Sequence, residues 1–352
     1  MRLEADFSKL SAIWPSEPEI SFEEYMRRCL YHPEGGYYRQ SGRVPVGKAG
    51  DFVTSPHLTP LFSRLLGRAL ADFDRELGSP APFDLIELGA DRRLLGQQLQ
   101  QFFQREQPGF WERARYTPVD FGDNIPETSE GIVFSNEFFD ALPVRRVLYQ
   151  GGRLFEIFVR RKEAGGLEEV LHETSDPEVV AYLEEGFLTL REGWTYEVNL
   201  EMQRALGELA RKMRSGVVVT FDYGYLRRDY AATERADGTV MCYSGHQAHP
   251  DPYRAPGRDD MTAHVNFKVL LETGQRLGWE SDPLISQREF LMRWGLEAEL
   301  AREEDFGVLH PERIQERLGI RDLLAPGGIS DTMRVLVQRV GSTSGFRPSR
   351  GF

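Results

Sequence analysis

The stretch Phe83-Asp84-Leu85-Ile86-Glu87-Leu88-Gly89-Ala90-Asp91-Arg92-Arg93 decides how this chain is read. Its apolar residues crowd into a short run, which predicts a buried strand, and Gly89 predicts the turn that ends it. From residue 93 to 103 the apolar residues recur at helical spacing. Strand, turn and helix in that order open a doubly wound α/β sheet, and ligands of such sheets lie beyond the carboxyl ends of the strands.

Outward from this unit, further strands are predicted at 116–120, 131–135, 217–221 and 333–340. Residues 144–149 and 154–160 flank Gln150-Gly151-Gly152-Arg153 and predict a β-hairpin, followed by a Glu-rich stretch to about 192. Upstream, Leu58, Leu61, Phe62, Leu65, Leu66, Ala69, Leu70 and Phe73 form one apolar stripe. That stripe predicts a single helix from Pro56 or Leu58 to about Leu77, stopped by Gly78-Ser79-Pro80. Ser21 with Glu24 three positions on predicts a capped helix ending at His32-Pro33. Asn199 predicts the start of a helix over 200–213, and 264–278 and 287–295 supply further helical periodicity. Strands alternating with helices make the chain α/β.

Composition narrows the class. The 352 residues carry 43 Lys+Arg against 55 Asp+Glu, a net charge of −12, which disfavours a partner held through its phosphates. Two cysteines, Cys29 and Cys242, exclude a disulfide scaffold and a thiolate metal cluster, and suit a reducing compartment. No run approaches the roughly 18 apolar residues of a membrane span. The N-terminal residues resemble neither a secretion signal nor a transit peptide, so a cytoplasmic location is expected. His246-Gln247-Ala248-His249 with His264 invites a metal reading, but Gly245 and Pro250 argue against a helix there, and no metal is expected. No Gly-x-Ser-x-Gly occurs, so covalent catalysis is not expected.

Acidic and polar residues stand at the strand ends. Asp120 suits the two hydroxyls of a ribose, or simply starts the turn before Gly122-Asp123. Asn136-Glu137-Phe138-Phe139-Asp140 sets two carboxylates and an amide around two aromatic rings. Glu137 and Asp140 there either orient and deprotonate a nucleophile or cap the next element while the rings fill the core. Asp51, Thr54 and Ser55 precede Pro56 in a polar loop, where Thr54 or Ser55 also reads as a plain helix cap.

Taken in order, Pro33-Glu34-Gly35-Gly36-Tyr37-Tyr38, Gly50-Asp51-Phe52-Val53-Thr54-Ser55-Pro56, Glu87-Leu88-Gly89, Asn136 to Pro143, Asp222-Tyr223-Gly224-Tyr225 and Asp260-Met261-Thr262-Ala263-His264-Val265 resemble the MidA-like class I methyltransferases that use S-adenosylmethionine. The eukaryotic members of that family are mitochondrial assembly factors for respiratory complex I. The resemblance covers about residues 20–340. It implies a Rossmann-like, seven-stranded sheet with an inserted α+β subdomain and an N-terminal helical extension. The implied division is 1–80 as the extension, 81–145 and 195–340 as the core, 146–194 as the insertion and 341–352 as a flexible tail. It also implies S-adenosyl-L-methionine as cofactor, held by Asp51, Thr54, Ser55, Glu87, Gly89 and Asp120. Asn136, Glu137 and Asp140 would then be catalytic, and the reaction N-methylation of an arginine on a partner protein. Expected partners are that protein substrate or an assembly partner, with a homodimer left open and no nucleic acid.

The chain departs from the family at the cofactor turn. Where the family has Glu-Leu-Gly-Pro-Gly-x-Gly, this chain has Glu87-Leu88-Gly89-Ala90-Asp91-Arg92-Arg93. Arg93 in particular is expected to fill space that a glycine leaves clear and to set a cation near a cationic cofactor. Smaller departures are His57 for Glu, Asn266 for Asp, and Phe121-Gly122 after the ribose acid. Two functions follow, an active protein methyltransferase with a variant loop or a non-catalytic relative that serves as a binding or assembly module.

Overall fold

Strand β1 (Phe83–Leu88) is buried at every residue, as a central strand covered on both faces must be. The computed structural model describes residues 6–14, 16–40, 54–90, 93–163, 165–187, 189–226, 235–304 and 311–341. They form two compact units, one from 54–138, 205–224 and 271–352, the other from 1–53, 139–204 and 225–270.

In the first unit β1 pairs in parallel with β2 (Ala114–Val119) on one side and β3 (Thr128–Asn136) on the other, and β3 pairs in parallel with β4 (Met213–Tyr225). The two-residue strands β5 (Glu280–Ser281) and β6 (Ile285–Ser286) both lie antiparallel to β7 (Met333–Val340), which runs antiparallel to β4. The order β5-β7-β4-β3-β1-β2 belongs to a mixed, Rossmann-like sheet, as the resemblance implied, but the sheet has eight strands where seven were expected. Residues 132–134 and 217–219 are runs of Ile, Val and Phe, whose branched or aromatic side chains fill both faces. The final strand has the predicted bounds. Strand β4 begins four residues earlier than predicted, because the helix Leu200–Lys212 passes directly into it.

The predicted helix over 56–77 is two helices, α1 (Ser55–Leu58) and α2 (Pro60–Glu76). Thr59 between them is extended, and its side chain accepts a hydrogen bond from the Leu61 N–H (3.2 Å). Pro60 has no N–H to continue the first turn, so the chain restarts there even though the apolar stripe runs on. Helix α3 (Leu94–Glu106) follows the turn after β1. Leu61, Leu65 and Leu66 of α2, Leu95, Leu99 and Phe103 of α3, and Leu85, Phe134 and Val219 of the sheet share one core. Beside it, Arg339 of β7 pairs with Glu76 of α2 and, at 2.8 Å, with Asp282.

The second unit groups segments that the sequence reading kept apart. A sheet runs Glu19–Ser21, Arg153–Arg161, Arg145–Gln150, Trp194–Val198, with Leu167–Thr174 on the far side of Arg153–Arg161. The predicted hairpin is its centre, and the Glu-rich stretch contributes a strand and the helix Pro177–Gly186. Gln247–His249, Met241–Ser244 and Asp260–Thr262 form a smaller sheet. The helix Phe22–Tyr31 starts on Ser21, whose hydroxyl accepts from Glu24 N at 3.2 Å. Its apolar face buries Phe22, Tyr25, Met26 and Cys29 against Val144, Val159, Cys242 and Met261. That shared core explains why residues so distant in sequence form one body. No described helix is long and apolar enough to cross a membrane.

Candidate functional site

Within the first unit, the carboxyl ends of β1, β2 and β3 lie side by side, and they carry most of the residues singled out above. Gly89 follows β1 at φ +72°, a left-handed conformation that favours glycine. Its N–H donates to the Val119 carbonyl (2.8 Å), which ties the ends of β1 and β2 together. A Cβ on Gly89 would stand 2.9 Å from the Phe138 ring, so a side chain here would displace that ring. Asp91 and Arg92 lie outside the described residues.

Arg93 sits at φ +61°, ψ +23° as the residue before α3, and its N–H donates to the Ala90 carbonyl at 2.7 Å. An arginine therefore holds a left-handed backbone that favours glycine. Its side chain is exposed, and its charge acts on Tyr116 at the strand ends. The backbone strain is about 1 kcal/mol. Arg93→Gly is expected to raise the unfolding free energy by up to about 1 kcal/mol in urea titration. An unchanged or lower midpoint would contradict the strain.

Glu87 is buried, and its Oε2 accepts a hydrogen bond from the Tyr116 hydroxyl across the β1–β2 pair. The ring is packed so closely that a Cβ on Gly96 would meet its hydroxyl at 2.1 Å. Burial first, and then the Glu87 charge, raise the Tyr116 phenol above its usual range, so it remains a donor. Glu87 thus braces the strand ends. Tyr116 left no mark in the sequence, because its importance comes from the register that sets it beside β1.

Asp120 is exposed one residue beyond β2, its N–H bonded to the Asp123 carboxylate (3.1 Å) and its carbonyl to Asp123 N (3.0 Å). It starts the turn before Gly122-Asp123, as one of the two readings expected. Asn136 closes β3, and its Nδ2 donates to Glu137 Oε1 (3.1 Å). The Asn136 Oδ1 is buried and accepts no hydrogen bond from any described residue. Glu137 stands at φ +54°, and its N–H donates to the Phe221 carbonyl of β4 at 2.9 Å. A non-glycine residue held left-handed at a strand end costs of order 1–3 kcal/mol and is characteristic of functional sites. Phe138, buried against Gly89, and the bond to Phe221 hold it there.

Thr54 and Ser55 share this unit but use their hydroxyls internally. Thr54 Oγ1 lies 2.8 Å from His57 Nδ1, and Ser55 is completely buried and donates to Gln287 Oε1 at 3.1 Å. Asp51 lies outside the described residues. Asp140 belongs to the second unit, where it is buried and its carbonyl accepts from Ala263 N at 2.9 Å.

The Asp260 to Val265 motif is in that second unit too. Its His264 Nδ1 is buried and accepts or donates no hydrogen bond among the described residues. Burial, with a smaller contribution from Arg235, holds the imidazole at a pKa of about 4. A histidine in the unfolded chain titrates near 6.5. Between those values the unfolded state binds a proton that the native state does not, so stability falls as pH drops from about 6.5 to about 4 and levels off below. His264→Gln is expected to remove that slope in urea midpoints taken across this range; a variant with the parent slope would contradict it. Of the other two histidines of the metal reading, His246 and His249, His249 pairs with Asp259 at 3.0 Å, which also pairs with Arg254 at 3.0 Å. Among the described residues no group of three or more His, Cys, Asp or Glu side chains is disposed to hold a metal ion.

A family model for S-adenosyl-L-methionine-dependent methyltransferases matches residues 117–285. The chain is 29% identical over 307 residues to the mitochondrial protein arginine methyltransferase NDUFAF7 homolog of Drosophila melanogaster, covering 74% of this chain and 67% of that protein. It is 27% identical to the mitochondrial protein arginine methyltransferase NDUFAF7 of Mus musculus, covering 87% and 77%. A Burkholderia thailandensis structure, described as a methyl transferase bound to S-adenosyl-homocysteine, superposes with a TM-score of 0.78 at 26% identity, covering 95% of this chain and 91% of that one.

Proposed function

Because the chain belongs to the MidA-like family of S-adenosyl-L-methionine-dependent methyltransferases, we propose that it N-methylates an arginine of a partner protein. The observation that carries the assignment of the site is the left-handed Glu137 beside the unsatisfied Asn136 Oδ1 at the end of the central parallel strands. The residues present fit the cofactor. Gly89 supplies the left-handed turn at the end of β1, Asp120 offers a carboxylate for ribose hydroxyls, and Asn136 Oδ1, without a hydrogen bond among the described residues, is an acceptor in need of a donor. When bound, S-adenosylmethionine supplies a methyl group activated by its sulfonium.

The chain's own residues have the rest of the work. A guanidinium nitrogen is a poor nucleophile until its proton is drawn away, and Glu137 is the carboxylate placed to accept that proton. The Asn136 amide fixes Glu137 Oε1 through Nδ2 and keeps Oδ1 for an N–H donor. Phe138 shields the turn from water, which favours transfer to the substrate over hydrolysis. Glu87 and Tyr116 keep the β1 and β2 ends in place. The Drosophila and mouse relatives are named as arginine methyltransferases, which supports the choice of residue.

The test is mass spectrometry of proteins from a strain lacking this chain, incubated with the purified full chain and methyl-labelled S-adenosylmethionine. Labelled methylarginine is the expected product. Label confined to another residue type would refute the arginine assignment, and no label would refute methyl transfer to protein in that extract.

A further inference from the structure

Three stretches singled out in the sequence meet in the second unit, and the proposed chemistry leaves their meeting point unused. Tyr38 donates its hydroxyl to Asp260 Oδ1 at 2.8 Å, and Asp260 is completely buried. Tyr31 donates its hydroxyl to the carbonyl of Ala141 at 2.9 Å. The two rings stack at 5.5 Å between centroids and 26° between planes, with Tyr37 set edge-on to Tyr38 at 5.1 Å. Ala263 N, three residues past Asp260, bonds the Asp140 carbonyl (2.9 Å), so the same backbone holds both anchors. Tyr31 and Tyr38 are each partly exposed, whereas the groups that anchor their hydroxyls are buried.

This arrangement has a specific physical consequence. A tyrosine whose hydroxyl is merely solvated swings about χ1 and χ2, but these two are pinned at the far end of the ring. The phenol of Tyr38 gives its proton toward a carboxylate, which leaves more electron density on the ring. Burial and then the Asp260 charge raise its pKa, so it remains the donor rather than ionising. An electron-rich ring with a fixed face attracts cations, and a planar guanidinium adds stacking that an ammonium lacks. A neutral isostere of the same shape gains the stacking without the electrostatic attraction.

We propose that the stacked Tyr31–Tyr38 pair is a recognition platform for a guanidinium side chain, with Asp260 as the positioning residue that fixes Tyr38. The proposal rests on the arginine reading above and concerns the second unit alone.

The experiment uses the full chain and N-acetyl-L-arginine N-methylamide, with the citrulline and lysine counterparts as the neutral and ammonium controls. Binding is followed by saturation-transfer NMR in a millimolar titration. The arginine probe is expected to bind about two- to fivefold more tightly than the citrulline probe, the effect of lying on one ring face of the pair. Tyr31→Leu with Tyr38→Leu is expected to erase the preference. Tyr38→Phe keeps the ring but frees it from Asp260, and is expected to reduce the preference to about half, so the test does not depend on the double variant folding. A purely structural role for these rings would lower stability without changing the ratio of arginine to citrulline binding. Equal binding of the two probes, no binding of either, or an unchanged ratio in Tyr38→Phe would overturn the platform. S-adenosylhomocysteine affinity is measured separately. A chain that binds it without preferring arginine loses the platform and keeps the methyltransferase reading, and the reverse result removes the methyltransferase reading alone.

Discussion

Glu137→Gln is expected to lower methyl transfer by about 10²–10³-fold while S-adenosylhomocysteine affinity changes less than about twofold. The substitution keeps the side chain's size and its amide can still meet Asn136, so the turn between β3 and the next residue is retained. What it removes is the group that accepts the guanidinium proton. The left-handed backbone of Glu137 supports this choice. That conformation costs free energy that a glycine would relieve, and such strain clusters at functional sites. Initial rates with labelled cofactor, alongside calorimetry of the product complex, separate the two effects. A variant that retains more than about a tenth of the activity would remove Glu137 from the chemistry. One that loses product affinity in step with activity would make it a binding residue.

The second large effect concerns stability. Arg339 and Glu76 are both almost entirely buried, joined by a side-chain pair from β7 to α2, and Arg339 also reaches Asp282. Removing Arg339 strands the Glu76 carboxylate in the core, which typically costs about 3–5 kcal/mol. Arg339→Met is therefore expected to destabilise the fold by that amount in urea titration. Adding Glu76→Leu to Arg339→Met removes the stranded carboxylate and is expected to recover most of the loss, because desolvation offsets much of what the pair contributes. A single variant within about 1 kcal/mol of the parent would show that the pair is already solvated.

Much of the sheet was legible because buried parallel strands are written as short apolar runs, and those at 83–88, 131–135, 217–221 and 333–340 all lie in it. Boundaries failed where a local signal was continuous across a break. The apolar stripe of 58–73 hides the extended Thr59, and the strand from Met213 begins within residues that read as helix. The candidate site residues stood out in the sequence where polarity interrupts a strand end, as at Asp120 and Asn136-Glu137. Tyr116 and the Tyr38–Asp260 pair were not, because their partners are set by strand register and by a core uniting residues more than two hundred positions apart. The role of Ser55 was misjudged for the complementary reason, since its hydroxyl looked available in the sequence and is enclosed by protein in the fold. At Arg93 the sequence marked the altered turn, and the fold adds a left-handed backbone that no sequence pattern carried.

That position bears on whether the altered turn still serves a cofactor. Gly89 survives with its left-handed backbone and Asp120 is exposed at the end of β2, so S-adenosylmethionine is expected to bind still. The most direct measurement is isothermal titration calorimetry of the full chain with S-adenosylhomocysteine. The account predicts saturable binding at one site per chain with a dissociation constant in the micromolar range, about −8 kcal/mol, weakened by Gly89→Val. No heat at millimolar ligand would contradict it, and would leave a methyltransferase fold that acts only by binding its partner.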